Sequence, residues 1–237
     1  MRNCSPVTIL TYHSIADVPP SGSPYRGLFV SPKNFQRQMK WLSRLGYIGL
    51  SLREIHPYIL GQKRGKVVGI TFDDGFCNVH ENALSVLRDL GFSSTCFFVS
   101  GQIGGFNKWD EPKGIPYTRC MSDEKIREWA NAGNEIGAHT VDHVHLTEVG
   151  LSEAFDQISN SRKRLEEISN QRVTSFSYPY GDVSPDIRNI VERSGFKLAV
   201  TLRKAQASSR HDPLLLPRRN IRHSDGWIAA CRKTIFG

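Results

Sequence analysis

The run Val67-Val68-Gly69-Ile70-Thr71-Phe72 constrains the fold more than any other stretch of the chain. It is uncharged and lacks strict polar–apolar alternation, so as a strand it needs cover on both faces, as strands of helix-covered parallel sheets do. The run then stops on Asp73-Asp74-Gly75, which sets two adjacent carboxylates at the carboxyl-terminal tip of a buried strand. Further strand-like runs occupy residues 7–12, 95–99, 135–138, 174–178 and 197–201. Helix-like segments alternate with them at 32–45, 81–90, 123–132, 151–168 and 185–192. In the first of these Phe35, Met39, Leu42 and Leu45 share one face. Ser122 and Ser184 are N-cap residues, and Pro185 suits a first helical position. The pattern predicts one α/β domain over residues 1–237, without repeats or a linker. Residues 17–27, 101–120 and 206–212 read as loops, the second long enough to flank a substrate.

In a mostly parallel sheet, ligands gather at the carboxyl ends of the strands. Asp73 and Asp74 end one strand, His139 follows another, His13 follows the first, and Pro179-Tyr180-Gly181 follows a fourth. His139-Thr140-Val141-Asp142-His143 offers two imidazoles four residues apart. With one carboxylate they can hold a divalent cation and leave positions open for water and substrate. Asp74, His139 and His143 are the candidate ligands, and Asp73 is then free to act as a base. Such a donor set suits Zn, Co, Ni, Fe or Mn. The Tyr180 backbone N–H is a candidate oxyanion donor. His13 is a candidate general acid, with an ordinary pKa near 6.5. Taken singly, each motif has a plainer reading: Asp-Asp-Gly and Pro-Tyr-Gly as turns, His13 as a structural histidine. His145 reads as a solvated neighbour, and His80 as a surface or capping residue at a helix start.

No stretch of 18 apolar residues exists, and the few apolar residues after Met1 do not make a secretory core, so a cytoplasmic protein is expected. The five cysteines (Cys4, Cys77, Cys96, Cys120, Cys231) are odd in number and lack Cys-x-x-Cys spacing, which speaks against a disulfide framework or structural zinc. Cys77 reads as a small buried thiol. The net charge of +8 points to an anionic partner. The basic clusters at residues 162–164 and 203–222 lack interleaved aromatics, so nucleic acid is not expected. An acidic glycan or the anionic inner face of a membrane is the alternative partner.

Taken in chain order, Thr71-Phe72-Asp73-Asp74-Gly75, His139-Thr140-Val141-Asp142-His143 and Phe176-Ser177-Tyr178-Pro179-Tyr180-Gly181 resemble the three signature motifs of the polysaccharide deacetylases. This is the NodB-homology superfamily, carbohydrate esterase family four. The likeness extends to Thr11-Tyr12-His13-Ser14 and Gly195-Phe196-Lys197-Leu198-Ala199-Val200, and covers residues 7–222. It implies a distorted (β/α) barrel of about seven strands and metal-dependent, first of all Zn-dependent, removal of N-acetyl groups from amino sugars. The substrate would be a polysaccharide, an oligosaccharide or a lipid-linked glycan. By that likeness Asp73 matches the base, Asp74, His139 and His143 the metal triad, and Tyr180 the oxyanion residue. Two departures stand out. Ser177 occupies the position of an arginine that orients the base in many members; Arg218 is the candidate replacement, with Arg219 second. A late Leu-x-His bearing the acid is absent, and His211 and His223 lack its context. Tyr12-His13 resembles a circularly permuted subgroup in which the acid moves to the first strand, which favours His13. The alternatives are a catalytically silent glycan-binding barrel, or a deacetylase of O-acetyl esters or small amides.

Overall fold

The structure, a computed structural model, describes residues 6–236. In chain order its elements are β1 (Ile9–Tyr12), β2 (Ser14–Ile15), β3 (Phe29–Val30), α1 (Pro32–Arg44), β4 (Ile48–Leu50), α2 (Leu52–Ile59), β5 (Val67–Phe72), α3 (Cys77–Asp89), β6 (Thr95–Phe98) and α4 (Asp123–Asn131). There follow β7 (Glu135–Ala138), α5 (Leu151–Ser169), β8 (Ser175–Ser177), α6 (Pro185–Arg193), β9 (Leu198–Val200), β10 (Arg219–Asn220) and α7 (Trp227–Phe236). The predicted strands and helices all form, within a few residues of their expected ends. Serine caps explain several of the helix starts: Ser31, Ser122 and Ser184 accept from the third residue of α1, α4 and α6.

All strand pairings are parallel, in the order β10-β1-β5-β6-β7-β8-β9, with β4 on the lower half of β5. The sheet curls until its edges meet the same segment. Leu216 bridges Val200 of β9, and three residues later β10 pairs with β1 through Leu10 and Thr11. Alternate residues then point inward. At the lower end the barrel is filled by Ile9, Phe97, Leu198, Val200 and Leu216, and a larger apolar layer lies between the sheet and its helices. Toward the carboxyl ends the same inward rows become polar: Thr11 and His13, Thr71 and Asp73, Gly137 and His139, Ser175 and Ser177. Gly137 is required by space, since a Cβ there would lie 2.4 Å from the Phe97 ring.

Helices α2 and α7 and strands β2, β3, β4 and β10 lie outside the predicted elements. α2 is eight residues long with Pro57 inside it, yet it is held by a complete Ser51–Glu54 capping box. Helix α3 starts four residues before the predicted position, which puts His80 in its first turn, mostly buried, with its Nε2 2.9 Å from Glu128 on α4. Cys77, Cys96, Cys120 and Cys231 are free thiols, Cys77 only partly buried, whereas Cys4 lies outside the described residues. Among the described residues no helix is long and apolar enough to cross a membrane.

Candidate active site

The carboxyl ends of β1, β5, β7 and β8 bring His13, Asp73, Asp74, His139, His143 and Tyr180 to one mouth of the barrel. The chain turns sharply there. Asp74, Thr140, His143 and Tyr180 all have positive φ (75°, 65°, 58° and 58°), a conformation rare for side-chain-bearing residues and frequent at functional sites. Gly75 continues the turn after Asp74, and a Cβ there would meet Phe98 at 2.5 Å. The Thr140 hydroxyl accepts from the His143 N–H at 2.9 Å, and Gln157 Oε1 accepts from the N–H groups of Val141 and Asp142. These bonds wind the His-Thr-Val-Asp-His segment so that both imidazoles face Asp74.

Asp73 is buried and meets Arg218, whose side chain is fully buried. The guanidinium uses all five of its N–H donors. Two go to the Asp73 carboxylate (2.8 and 2.7 Å), and the others to Thr71 Oγ1 (3.1 Å), Ser177 Oγ (3.0 Å) and the Thr201 carbonyl (3.1 Å). Ser177 also donates to Asp73 Oδ2 at 3.3 Å. A small side chain at position 177 thus leaves room for a guanidinium delivered by the segment that closes the barrel. Arg219, the second candidate, pairs with β1 instead, while Arg218 holds the carboxylate.

The two neighbouring acids are driven apart in proton affinity. Burial alone would raise the Asp73 carboxyl, but the Arg218 charge and its hydrogen bonds outweigh that and hold it well below the usual carboxylate range. Asp74 has no such partner, and burial, then the anions of Asp73 and Asp110, push it well above its ordinary value. Burial also lowers His139, against the opposing pull of Asp73, and lowers His143, with help from His139. Both rings are therefore neutral near pH 7. Burial pushes His13 down to about 4, opposed by Asp73 and assisted by Arg218 and His139. The expectation of a histidine titrating near 6.5 is not met, because burial disfavours the charged ring, with the Arg218 charge adding to the effect.

The donor set fits a divalent cation. Single ligand atoms of Asp74, His139 and His143 lie within 4.8 Å of one another, all buried. His139 Nδ1 is 2.7 Å from the Ser177 carbonyl, which fixes the proton on that nitrogen and turns a bare Nε2 inward. That Nε2 faces His143 Nε2 at 3.1 Å and Asp74 Oδ1 at 3.6 Å. Converging acceptors shielded from water repel one another unless a cation lies between them.

The loop at 101–120 supplies groups that sequence reasoning missed. Trp109 packs 5.0 Å from the His143 ring, buried Asp110 adds negative charge beside Asp74, and Lys113 Nζ lies 3.4 Å from the Tyr180 hydroxyl. The only signal for them was the length of the loop. His145, read as a solvated neighbour, instead stacks on Tyr180 and bonds Asp182.

The sequence matches the family profile described as polysaccharide deacetylase over residues 61–199. YxkH of Bacillus subtilis is 30% identical over 84% of this chain and 66% of its own length. The poly-beta-1,6-N-acetyl-D-glucosamine N-deacetylase of Staphylococcus aureus is 26% identical over 80% of this chain and 66% of its length. The chain thus spans about two thirds of these curated relatives (66%). The Streptococcus pyogenes deacetylase PplD, solved with acetate, superposes with a TM-score of 0.84 over 98% of this chain and 99% of that one; at 23% identity it supports the fold alone.

Proposed function

From the premise that the chain belongs to the polysaccharide deacetylase family, we propose that it hydrolyses N-acetyl groups on amino-sugar units of a glycan, with one bound divalent cation, Zn first. The observation that carries this reading is the opposed environments of two adjacent acids: Asp73 saturated by Arg218 and kept anionic, Asp74 facing two neutral imidazoles and in need of a cation. Asp74, His139 and His143 would hold the cation, which when bound supplies an acidified water and a polarised acetyl carbonyl. Asp73 accepts the proton of the attacking water, and Arg218 keeps its carboxylate turned toward that water. The Tyr180 N–H donates to the oxyanion. His13, within electrostatic reach of Asp73 and held neutral near pH 7 by burial, relays to the leaving nitrogen the proton that Asp73 has taken from the water.

A polymer of β-1,6-linked N-acetylglucosamine is the first substrate to test, from the name of the S. aureus relative. Lipid-linked N-acetylated glycans belong to the same class, and an anionic carrier or membrane surface would complement the charge of +8. A silent glycan-binding barrel is disfavoured because the guanidinium missing from position 177 is replaced by Arg218 at full bonding capacity. The test is cation content by elemental analysis, together with acetate release from N-acetylglucosamine oligomers, O-acetyl esters and small amides. One equivalent of cation in the wild type, almost none in His139→Ala/His143→Ala, and acetate from the oligomers are expected. Equal, negligible cation in both proteins would sink the assignment.

A further inference from the structure

We propose that His145 and Asp182 are positioning residues that clamp the Tyr180 ring and so hold the Tyr180 amide in its left-handed turn; the catalytic half of this rests on the reading of that amide as an oxyanion donor. Tyr180 has φ 58° and ψ 0°, inside a short turn (Pro179–Gly181) whose other residues are proline and glycine. A tyrosine gains nothing locally from that conformation, so something outside the turn must favour it. The imidazole of His145 lies flat on the Tyr180 ring, centroids 3.7 Å apart and planes 6° from parallel. Its Nδ1 is 2.5 Å from Asp182 Oδ2. Asp182 follows Tyr180 by two residues, so one imidazole is fastened to the same turn twice, by its face and by its edge. The imidazole itself stands on the second-motif segment, two residues after His143, and the Tyr180 and His143 rings pack at a steep angle with centroids 4.6 Å apart. The clamp therefore ties the orientation of the third-motif turn to the segment that carries the imidazole donors. Lys113 approaches the same ring, its Nζ 4.7 Å from the centroid.

This pair is not core filler. The side chains of His145 and Asp182 are 37% and 34% exposed, so shortening either leaves the apolar layers intact. Ring stacking at this separation also constrains direction, which generic burial does not.

The variants are His145→Ala, which removes both fastenings, and His145→Phe, which keeps a flat ring and loses the Asp182 bond. The first readout is amide hydrogen exchange of the peptide spanning residues 176–184, which requires no substrate. The second is the separate measurement of kcat and KM for acetate release. In His145→Ala, exchange in that peptide is expected to rise at least about tenfold, with peptides elsewhere unchanged. Its kcat should fall roughly ten- to hundred-fold, with KM within about threefold, the pattern of a misaimed donor. His145→Phe should recover part of the protection and of kcat, the share due to the face contact, the remainder measuring the lost Asp182 bond. Wild-type exchange or wild-type kcat in His145→Ala overturns the proposal, as does His145→Phe behaving like His145→Ala. If exchange responds as expected while the wild type releases no acetate from any acetylated glycan, the clamp stands and the deacetylase reading fails.

Discussion

Asp73 and Asp74 share a peptide bond and differ in every relevant property because the backbone reverses between them. Asp73 continues the inward row of β5 and reaches Arg218; Asp74, at φ 75°, turns to the histidines. Their roles can be separated by substitution. Asp73→Asn is expected to retain the cation and lose on the order of 10²–10⁴ in kcat, the range for a positioned base. Cation lost together with activity would contradict that division. Arg218→Ala strands a buried carboxylate, which costs about 3–5 kcal/mol. The sign with pH follows from the pKa directions. A carboxyl held below its ordinary 3.8 gives stability that is present above that value and lost as pH falls through the folded value. Without Arg218, burial dominates and raises Asp73. The variant should therefore lose that contribution, keep the cation, and show the acid limb of its activity profile at higher pH than the wild type. Urea melts and pH–rate profiles check both points, and an unshifted acid limb with full kcat would end the proposed role of Arg218.

Strand β7 shows how one element delivers a candidate ligand. Its inward residues are Glu135, Gly137 and His139. Glu135 is buried and accepts from the Arg53 N–H at the start of α2 (2.9 Å), Thr95 Oγ1 (2.7 Å) and Ser175 Oγ (2.6 Å). The strand is thereby pinned between both neighbours and a helix N-terminus, where negative charge is favoured. One step up, Gly137 yields its space to Phe97, and one step further His139 emerges at the mouth. Gly137→Ala should overpack this contact by about 1–3 kcal/mol, lowering Tm by roughly 2–12 °C at about 2–4 °C per kcal/mol for a chain of this size. By moving His139 it should also weaken cation binding. Gly27→Ala, where an added Cβ meets nothing within 4 Å, is the control. Thermal melts with a cation titration decide it; a Gly137→Ala protein with wild-type cation affinity would show that the strand does not set the ligand.

For the molecule as a whole, the proposed cation binding at Asp74, His139 and His143 would be linked to folding. In the cation-free protein the raised Asp74 carboxyl contributes stability below its ordinary value of 3.8 and loses it as pH climbs toward the folded value. A bound cation removes that loss, and His139 and His143, already neutral, surrender no proton to receive it. Zn(II) at about a hundredfold over its Kd should add about 2.7 kcal/mol, or roughly 5–11 °C in Tm for a chain of this size. At one fixed Zn(II) concentration the gain should be larger at pH 7.5 than at pH 5.5. Differential scanning fluorimetry tests this beside Asp74→Asn, and a wild-type gain in Asp74→Asn would show that Asp74 is not a ligand.

Much of this was legible because the information is local. The unalternating run at 67–72 dictates a doubly covered parallel strand, period two sends Thr71 and Asp73 to the same side, and the serine caps and helix faces mark most of the helices. β2, β3, β4 and β10, of two or three residues each, were not legible, since so short a segment shows no period; nor was α2, whose Pro57 argues against a helix. The site divides in the same way. The acids, the histidines and the Pro-Tyr-Gly turn stand at strand ends visible in the sequence, and the absent arginine at Ser177 directed attention to Arg218. Whether Arg218 reaches Asp73 depends on a contact across 145 residues that exists only once the barrel closes. The low proton affinity of His13, the approach of Trp109 and Asp110, and the stacking of His145 on Tyr180 were likewise set by packing. Sequence by itself determined which donors stand at which strand ends, because backbone periodicity is a nearest-neighbour property. Tertiary structure decided their partners and their charge, because desolvation and Coulomb terms depend on distances through space.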